Sequence, residues 1–112
     1  MSFDVILIKP NDLSIEDLSA VEDVMLLGDK GFVEAAIGLS FPGAVNGTWK
    51  SEEFSIEALI SGNPVGSVHI TAHFGDAWSE TSEAKLLSLI AVICHKIGAV
   101  AFSISDNSKL AP

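Results

Sequence analysis

The residues of this sequence that could do chemistry are concentrated in one short stretch, residues 66–76 (GSVHITAHFGD). Two histidines lie four residues apart there, His69 and His73, and an acid, Asp76, follows three residues later. On a helix, this spacing would place both imidazoles on one face, where they could share a metal ion. The alternative is that the two histidines line the polar side of a β-strand.

The residues around the histidines favour the strand. Apolar and polar residues alternate through residues 67–74, which is the period of a strand with one buried face. Four strand residues span about 13 Å at roughly 3.3 Å each. Two imidazoles that far apart cannot both bind one ion at about 2 Å. We therefore predict that His69 and His73 hold no metal and that the protein needs no cofactor.

A second alternating run, residues 53–60 (EFSIEALI), precedes this strand across a Gly-Asn-Pro turn and predicts a β-hairpin. Its register must place the apolar residues of both strands on one face. One register that does so makes three polar pairs: Glu57 with His69, Ser55 with Thr71, and Glu53 with His73. Such cross-strand pairs are ordinary stabilising contacts of roughly 0.2–1 kcal/mol. They would also form a polar surface that could meet a partner.

The remaining segments predict the elements that position this hairpin. Residues 3–9 and 99–105 have the composition of strands, and residues 48–50 are a candidate short strand. Residues 80–97 predict an amphipathic helix that stops at Gly98. Residues 29–40 predict a helix capped by Asp29. Residues 11–27, with apolar residues at helical spacing, predict another helix that Gly28 ends.

This order of elements predicts one α+β domain over residues 1–112. In the order β-α-β-β-β-α-β, a mainly antiparallel sheet of four to five strands would carry two main helices on one face, giving a two-layer sandwich.

Charge is the strongest signal in the composition. The chain has 15 acids against six lysines, no arginine, and a net charge of −9. Nucleic acid is not expected as a partner, because phosphate neutralisation needs lysine and arginine on one face. Seven of the acids lie between residues 12 and 34: Asp12, Glu16, Asp17, Glu22, Asp23, Asp29 and Glu34. They form either a solvated helix face or a docking surface for a basic partner.

Signatures of enzymes are weak. Residues 38–42 (GLSFP) depart from the nucleophile elbow at their last position, and neither a dinucleotide nor a P-loop motif occurs. The lone Cys94, in an apolar helical run, is predicted to pack in the core and fits a reducing compartment. The N-terminal residues lack the pattern of a signal peptide, and no apolar run is long enough to span a bilayer. We therefore expect a cytoplasmic, non-enzymatic protein that does not contact the membrane.

Several segments carry a resemblance to known proteins. The N-terminal MSFD, LGDKGFVEAAIGLSFPG, NGTW and the hairpin FSIEALISGNPVGSVHITAHFGD resemble a group of small acidic bacterial proteins of about this length. That group is similar in size and acidity to immunity proteins, which neutralise a cognate toxin by binding it. The resemblance implies a binding protein and carries over no site residue. The chain departs from the group's pattern in SISDNSKLAP, where the last strand ends without an aromatic.

Together these observations predict an immunity-type protein that occludes the active site of a cognate protein toxin with a basic surface. Acidic side chains would stand in for substrate phosphates. The expected contact residues are Asp12, Glu16, Asp17, Glu22 and Asp23 in the acidic segment, and Glu53, Glu57, His69 and His73 on the hairpin. Two alternatives stay open: a small ligand-binding or hydrolytic domain that uses the face of His69 and His73, and a self-associating protein such as a homodimer.

Overall fold

A computed structural model of the chain describes residues 2–45 and 47–111, so that Met1, Asn46 and Pro112 lie outside the described ranges. The predicted fold class is confirmed. An antiparallel sheet of seven strands carries two α-helices on one face, which is an α+β architecture. Apart from a 3₁₀ turn and the short strands at Val24–Met25 and Lys109–Ala111, the order of elements is the predicted β-α-β-β-β-α-β.

The seven strands of the sheet are β1 Ser2–Pro10, β2 Val24–Met25, β3 Thr48–Lys50, β4 Phe54–Ser61, β5 Ser67–Phe74, β6 Val100–Ser103 and β7 Lys109–Ala111. In space they follow the order β3-β4-β5-β1-β6-β7, and β2 pairs with the end of β1. β1 is thus the strand with the most partners. The strand number exceeds the predicted four to five, because β2 and β7 are short segments that carry little signal of their own.

Both helices begin and end at residues whose chemistry fixes the ends. Helix α1 spans Lys30–Ser40, and the Asp29 carboxylate accepts a hydrogen bond from the Phe32 amide at 2.8 Å. Helix α2 spans Glu80–Ile97, the predicted range. Gly98 follows it at φ 69°, a left-handed conformation that glycine adopts at little cost.

The main core lies between the helices and one face of the sheet. Alternate residues of β1, β4 and β5 point toward the helices, and those of the central rows, such as Leu7, Ile56 and Ile70, are fully buried. Leu86, Ile90 and Ile93 of α2 pack into the same cluster. The side of the sheet opposite α1 and α2, which we call the open side, carries the other set of alternating residues.

The helix predicted within residues 11–27 is wrong. This segment contains only a short 3₁₀ turn, Leu18–Ala20, followed by β2. Its apolar residues, Ile15, Leu18 and Val21, pack on the open side against a second apolar cluster formed by Ile8, Val100 and Phe102. Local hydrogen bonds also oppose a helix, because aspartate side chains in this segment accept bonds from backbone amides two residues on.

The predicted register of the hairpin is also wrong, because each residue of β4 pairs with the residue two positions beyond its predicted partner in β5. Ser61 pairs with Ser67, so Glu57 lies opposite Thr71 and His69 lies opposite Leu59. The cause is a contact distant in sequence. The Val65 amide donates to the Gly28 carbonyl at 2.7 Å, and the Val65 carbonyl accepts from the Leu27 amide at 2.8 Å. Because this pairing draws buried Val65 out of the hairpin ladder, the loop spans five residues, 62–66.

Candidate functional site

The polar candidates of the hairpin do share one face, because a register error of two residues leaves each side chain on its predicted side. The pairing of β5 with β4 and with β1 fixes the composition of that part of the open side. It consists of Asp4, Thr48, Lys50, Ser55, Glu57, Leu59, His69, Thr71 and His73. The open side is therefore a polar sheet surface in its β3-β4-β5 half and along the start of β1.

Asp4 is the acceptor that links β1 to β5 at one end of this surface. Its Oδ1 atom accepts hydrogen bonds from Thr71 Oγ1 at 2.9 Å and from His69 Nε2 at 3.1 Å. These two hydrogen bonds hold the pKa of Asp4 below its ordinary value, and the bond from Thr71 has the larger effect. Both ionisable side chains stay accessible, since Asp4 is 40% exposed and His69 is 42% exposed. His69 is thus oriented by β1 and not by Glu57 as expected.

The second histidine makes a looser contact. His73 Nε2 lies 3.9 Å from Glu57 Oε2, a diagonal contact across β4 and β5, and the side chains are 46% and 65% exposed, respectively. An exposed pair at this distance contributes little to stability, of the order of 0–1 kcal/mol. Glu57 and His73 are consequently available to another molecule.

Glu53 does not belong to this surface. Its Oε2 accepts from Ser82 Oγ at 2.7 Å and its Oε1 accepts from Lys85 Nζ at 2.9 Å, so it ties the start of β4 to α2. The bond from Lys85, and then the one from Ser82, lowers the pKa of Glu53. The prediction that Glu53 lies opposite His73 is wrong, because Ser55 takes that place in the ladder.

Residues 11–23, which we call the acid-rich segment, lie on the same open side. Their apolar side chains cover the second cluster at the β1-β6 end of the sheet, and Ile6 also packs against that cluster. Asp4 lies two residues before Ile6 on the same face of β1. All five predicted acids of this segment are exposed: Asp12, Glu16, Asp17, Glu22 and Asp23. The two surfaces that the sequence predicted separately are thus neighbouring parts of one side of the molecule.

Two of these acids also shape the segment. Asp12 accepts hydrogen bonds from the hydroxyl and the amide of Ser14, and Asp17 accepts the same pair from Ser19. These bonds lower the pKa of both aspartates, and the bond from the serine hydroxyl has the larger effect in each case. Backbone pairing with residues 107–109 anchors the segment further, as in the bond from the Leu18 amide to the Asn107 carbonyl at 2.8 Å. The acids are therefore presented by an ordered loop.

Asp4 is the shared acceptor of both neighbouring side chains. Because Thr71 and His69 both direct a proton at Asp4 Oδ1, the Thr71 hydroxyl is not hydrogen-bonded to His69 as a nucleophile is to its base. Across the described ranges, no group of three or more histidine, cysteine or acidic side chains is placed to hold a metal ion. Within the same ranges, no helix has the length and hydropathy to cross a membrane.

Cys94 lies outside this surface, in the main core. It is 1% exposed, and burial raises the pKa of its thiol to about 12. The side chain therefore packs as a small apolar residue, as the sequence predicted.

Asp4 is a candidate site residue that the sequence did not indicate. A single acid inside an apolar strand, FDVILIK, is unusual and was the available signal. Its role depends on β1 lying beside β5, which places Asp4 opposite Thr71. That pairing joins residues 67 positions apart in sequence and could not be read from a local pattern.

Comparison of the chain with protein-family models, with curated proteins and with solved structures finds no match. The function must therefore be argued from the open side itself.

Proposed function

We propose that this protein is an immunity-type inhibitor that binds a cognate toxin and occludes its active site with the open side of the sheet. The observation that carries the proposal is the juxtaposition on that side of the exposed acid-rich segment and the polar face around Asp4. The toxin would be a basic protein that acts in the same cytoplasm on a phosphate-bearing substrate. The inhibitor acts by steric and electrostatic blocking and not by chemistry.

The charge of the protein supports this assignment. A net charge of −9 without arginine speeds encounter with a positive surface. Exposed carboxylates on an ordered loop present acceptor oxygens at fixed positions, which is what a cleft built for phosphate oxygens requires. Leu59, which is 66% exposed among these polar residues, adds an apolar contact of the kind that interface centres use.

The proposal is tested with the product of the gene adjacent to this one. Its toxic activity should fall in proportion to added inhibitor and vanish near a one-to-one ratio. Association should slow steeply as salt rises, because screening removes long-range attraction. A neighbouring product that is unaffected by an excess of this protein would contradict the proposal, as would an association rate that salt leaves unchanged.

The ligand-binding alternative gives a different result. If the polar face holds a metal through His69, the purified protein should bind zinc in a one-to-one ratio and lose it in His69→Ala. The inhibitor proposed above binds no stoichiometric zinc, and its partner binding should be lost gradually as successive open-side charges are reversed. The homodimer alternative is tested by the sedimentation of the purified protein alone.

A further inference from the structure

Strand β2 and the residue after it carry the longest run of exposed large apolar side chains in the part of the chain that the structure describes. Val24, Met25 and Leu26, which we call the β2 strip, are each between 43% and 59% exposed. The exposed Phe32 of α1 adds to this apolar surface, because its ring packs over Gly28 at the position that a side chain there would occupy. Exposed apolar residues that lie together in this way mark an interaction site, whereas scattered ones are ordinary.

The backbone of the β2 strip is also free along one edge. The Asn11 amide donates to the Asp23 carbonyl at 3.3 Å, at the end of the ladder between β1 and β2. Odd-numbered residues therefore bond to β1, and even-numbered ones point away from it. In the described ranges, the amides and carbonyls of Val24 and Leu26 have no hydrogen-bond partner. Proteins guard such an edge with charged side chains or proline, and the strip contains neither.

The β2 strip adjoins the acid-rich segment on the open side. Val24 lies opposite Pro10, two residues after Ile8 of the second cluster, so the side chain of Val24 points to the open side. That of Leu26, two residues further on, does the same. Exposed charges border the strip along the chain, three acids against one base: Glu22, Asp23, Asp29 and Lys30. The strip is therefore an apolar centre with a mainly acidic rim.

We infer that the toxin contributes an extended segment that pairs with the outer edge of β2 and covers the β2 strip. This inference rests on the proposed function and specifies how the partner is held. The free groups of Val24 and Leu26 require backbone amides and carbonyls at strand spacing. The exposed side chains of the strip require apolar residues in that segment, and the acidic rim requires lysine or arginine on either side of them.

The strip and the acids affect different stages of binding. Exposed carboxylates act at a distance and speed the encounter with a basic surface. Apolar burial and backbone pairing act only at contact, so the strip determines how slowly the complex dissociates. A second copy of the chain does not suit the strip, because each copy carries a net charge of −9 and edge-to-edge pairing would bring two acidic rims together.

Amide hydrogen exchange tests the backbone pairing in the wild-type protein, alone and with the product of the neighbouring gene. In the free protein, the Val24 and Leu26 amides should exchange nearly as fast as those of an unfolded chain, because they have no partner. In the complex, both should exchange at least about tenfold more slowly. Exchange that stays fast in the complex would overturn the inference. Slow exchange in the free protein would do the same, because the edge would then already be occupied.

A matched pair of double variants tests the side chains. Val24→Gln with Leu26→Gln makes the strip polar, and Val92→Gln with Leu39→Gln replaces a valine and a leucine that are similarly exposed on the two helices. The strip variant should dissociate from the neighbouring product at least about tenfold faster than the wild type, with an association rate within about twofold of it. The helix variant should match the wild type in both rates.

The result separates the inference from the proposed function. If the strip variant dissociates as slowly as the wild type, the inference is overturned while the proposed inhibition stands. If the wild type itself does not bind the neighbouring product, both are overturned.

Discussion

Leu18→Ala tests whether the acid-rich segment is held on the sheet by its apolar contacts. Leu18 is half-buried, and its side chain packs against Ile8, Val100 and Phe102. Truncating a fully buried leucine costs about 2–5 kcal/mol. For a side chain that is only half-buried, we expect about half of the lower part of that range, roughly 1–2 kcal/mol. The free energy of unfolding should fall by this amount.

Two measurements follow the effect. Urea denaturation, monitored through Trp49 and Trp78 beside the main core, gives the free energy of unfolding. Hydrogen exchange gives the local response, and amides of residues 12–23 should exchange about tenfold faster for each 1.4 kcal/mol lost. Leu13→Ala is the matched control, because Leu13 is in the same segment and 52% exposed, so its loss should stay within about 0.5 kcal/mol. If both variants behave alike, the segment is not held by the second cluster.

Three other predictions concern stability and reactivity. Ser82→Ala should lower the free energy of unfolding by about 1–2 kcal/mol, because the buried Ser82 hydroxyl donates to Glu53 and accepts from the Ser79 amide. The control Ser88→Ala, at an exposed position of the same helix, should change it by less than about 0.5 kcal/mol in the same urea titration. Because the pKa of Asp4 is lowered on folding, ionised Asp4 stabilises the folded state above its ordinary pKa of 3.8, and this contribution is lost as the pH falls through the folded pKa. In Asp4→Asn, the free energy of unfolding should therefore fall less steeply as the pH is lowered. The difference should be at most ~1 kcal/mol, since the carboxylate is 40% exposed and is screened by solvent. Cys94, buried with a thiol pKa of about 12, should react with a thiol reagent only as fast as the protein unfolds, and rapid labelling of the native protein would contradict its burial.

The elements that could be predicted from the sequence are those whose signals are local. Helix α2 was predicted over its full range because acids begin it, a long apolar stripe runs through it and Gly98 ends it. The two hairpin strands were predicted because alternation identifies a half-buried strand without reference to its partners. The same alternation placed His69 and His73 on one polar face, even though their neighbours were assigned wrongly.

The errors have a common physical origin in contacts between distant segments. Apolar spacing in residues 11–27 resembles a helix, but those residues cover a sheet face that only the pairing of β1 with β6 creates. The hairpin register depends on Val65 pairing with Gly28, and the role of Asp4 depends on β1 lying beside β5. Local propensity could not predict any of these three contacts, since each joins segments more than 30 residues apart.

The proposal that the open side binds the toxin is tested by a matched pair of charge reversals. Glu16→Lys with Glu57→Lys changes both parts of the open side, and Glu80→Lys with Glu83→Lys changes the exposed first turn of α2. Each double variant moves the net charge from −9 to −5, so both lose the same overall attraction. In a titration against the neighbouring gene's product at low salt, we expect the open-side variant to bind at least about tenfold more weakly than the helix variant. Equal losses of affinity in the two variants would contradict the claim.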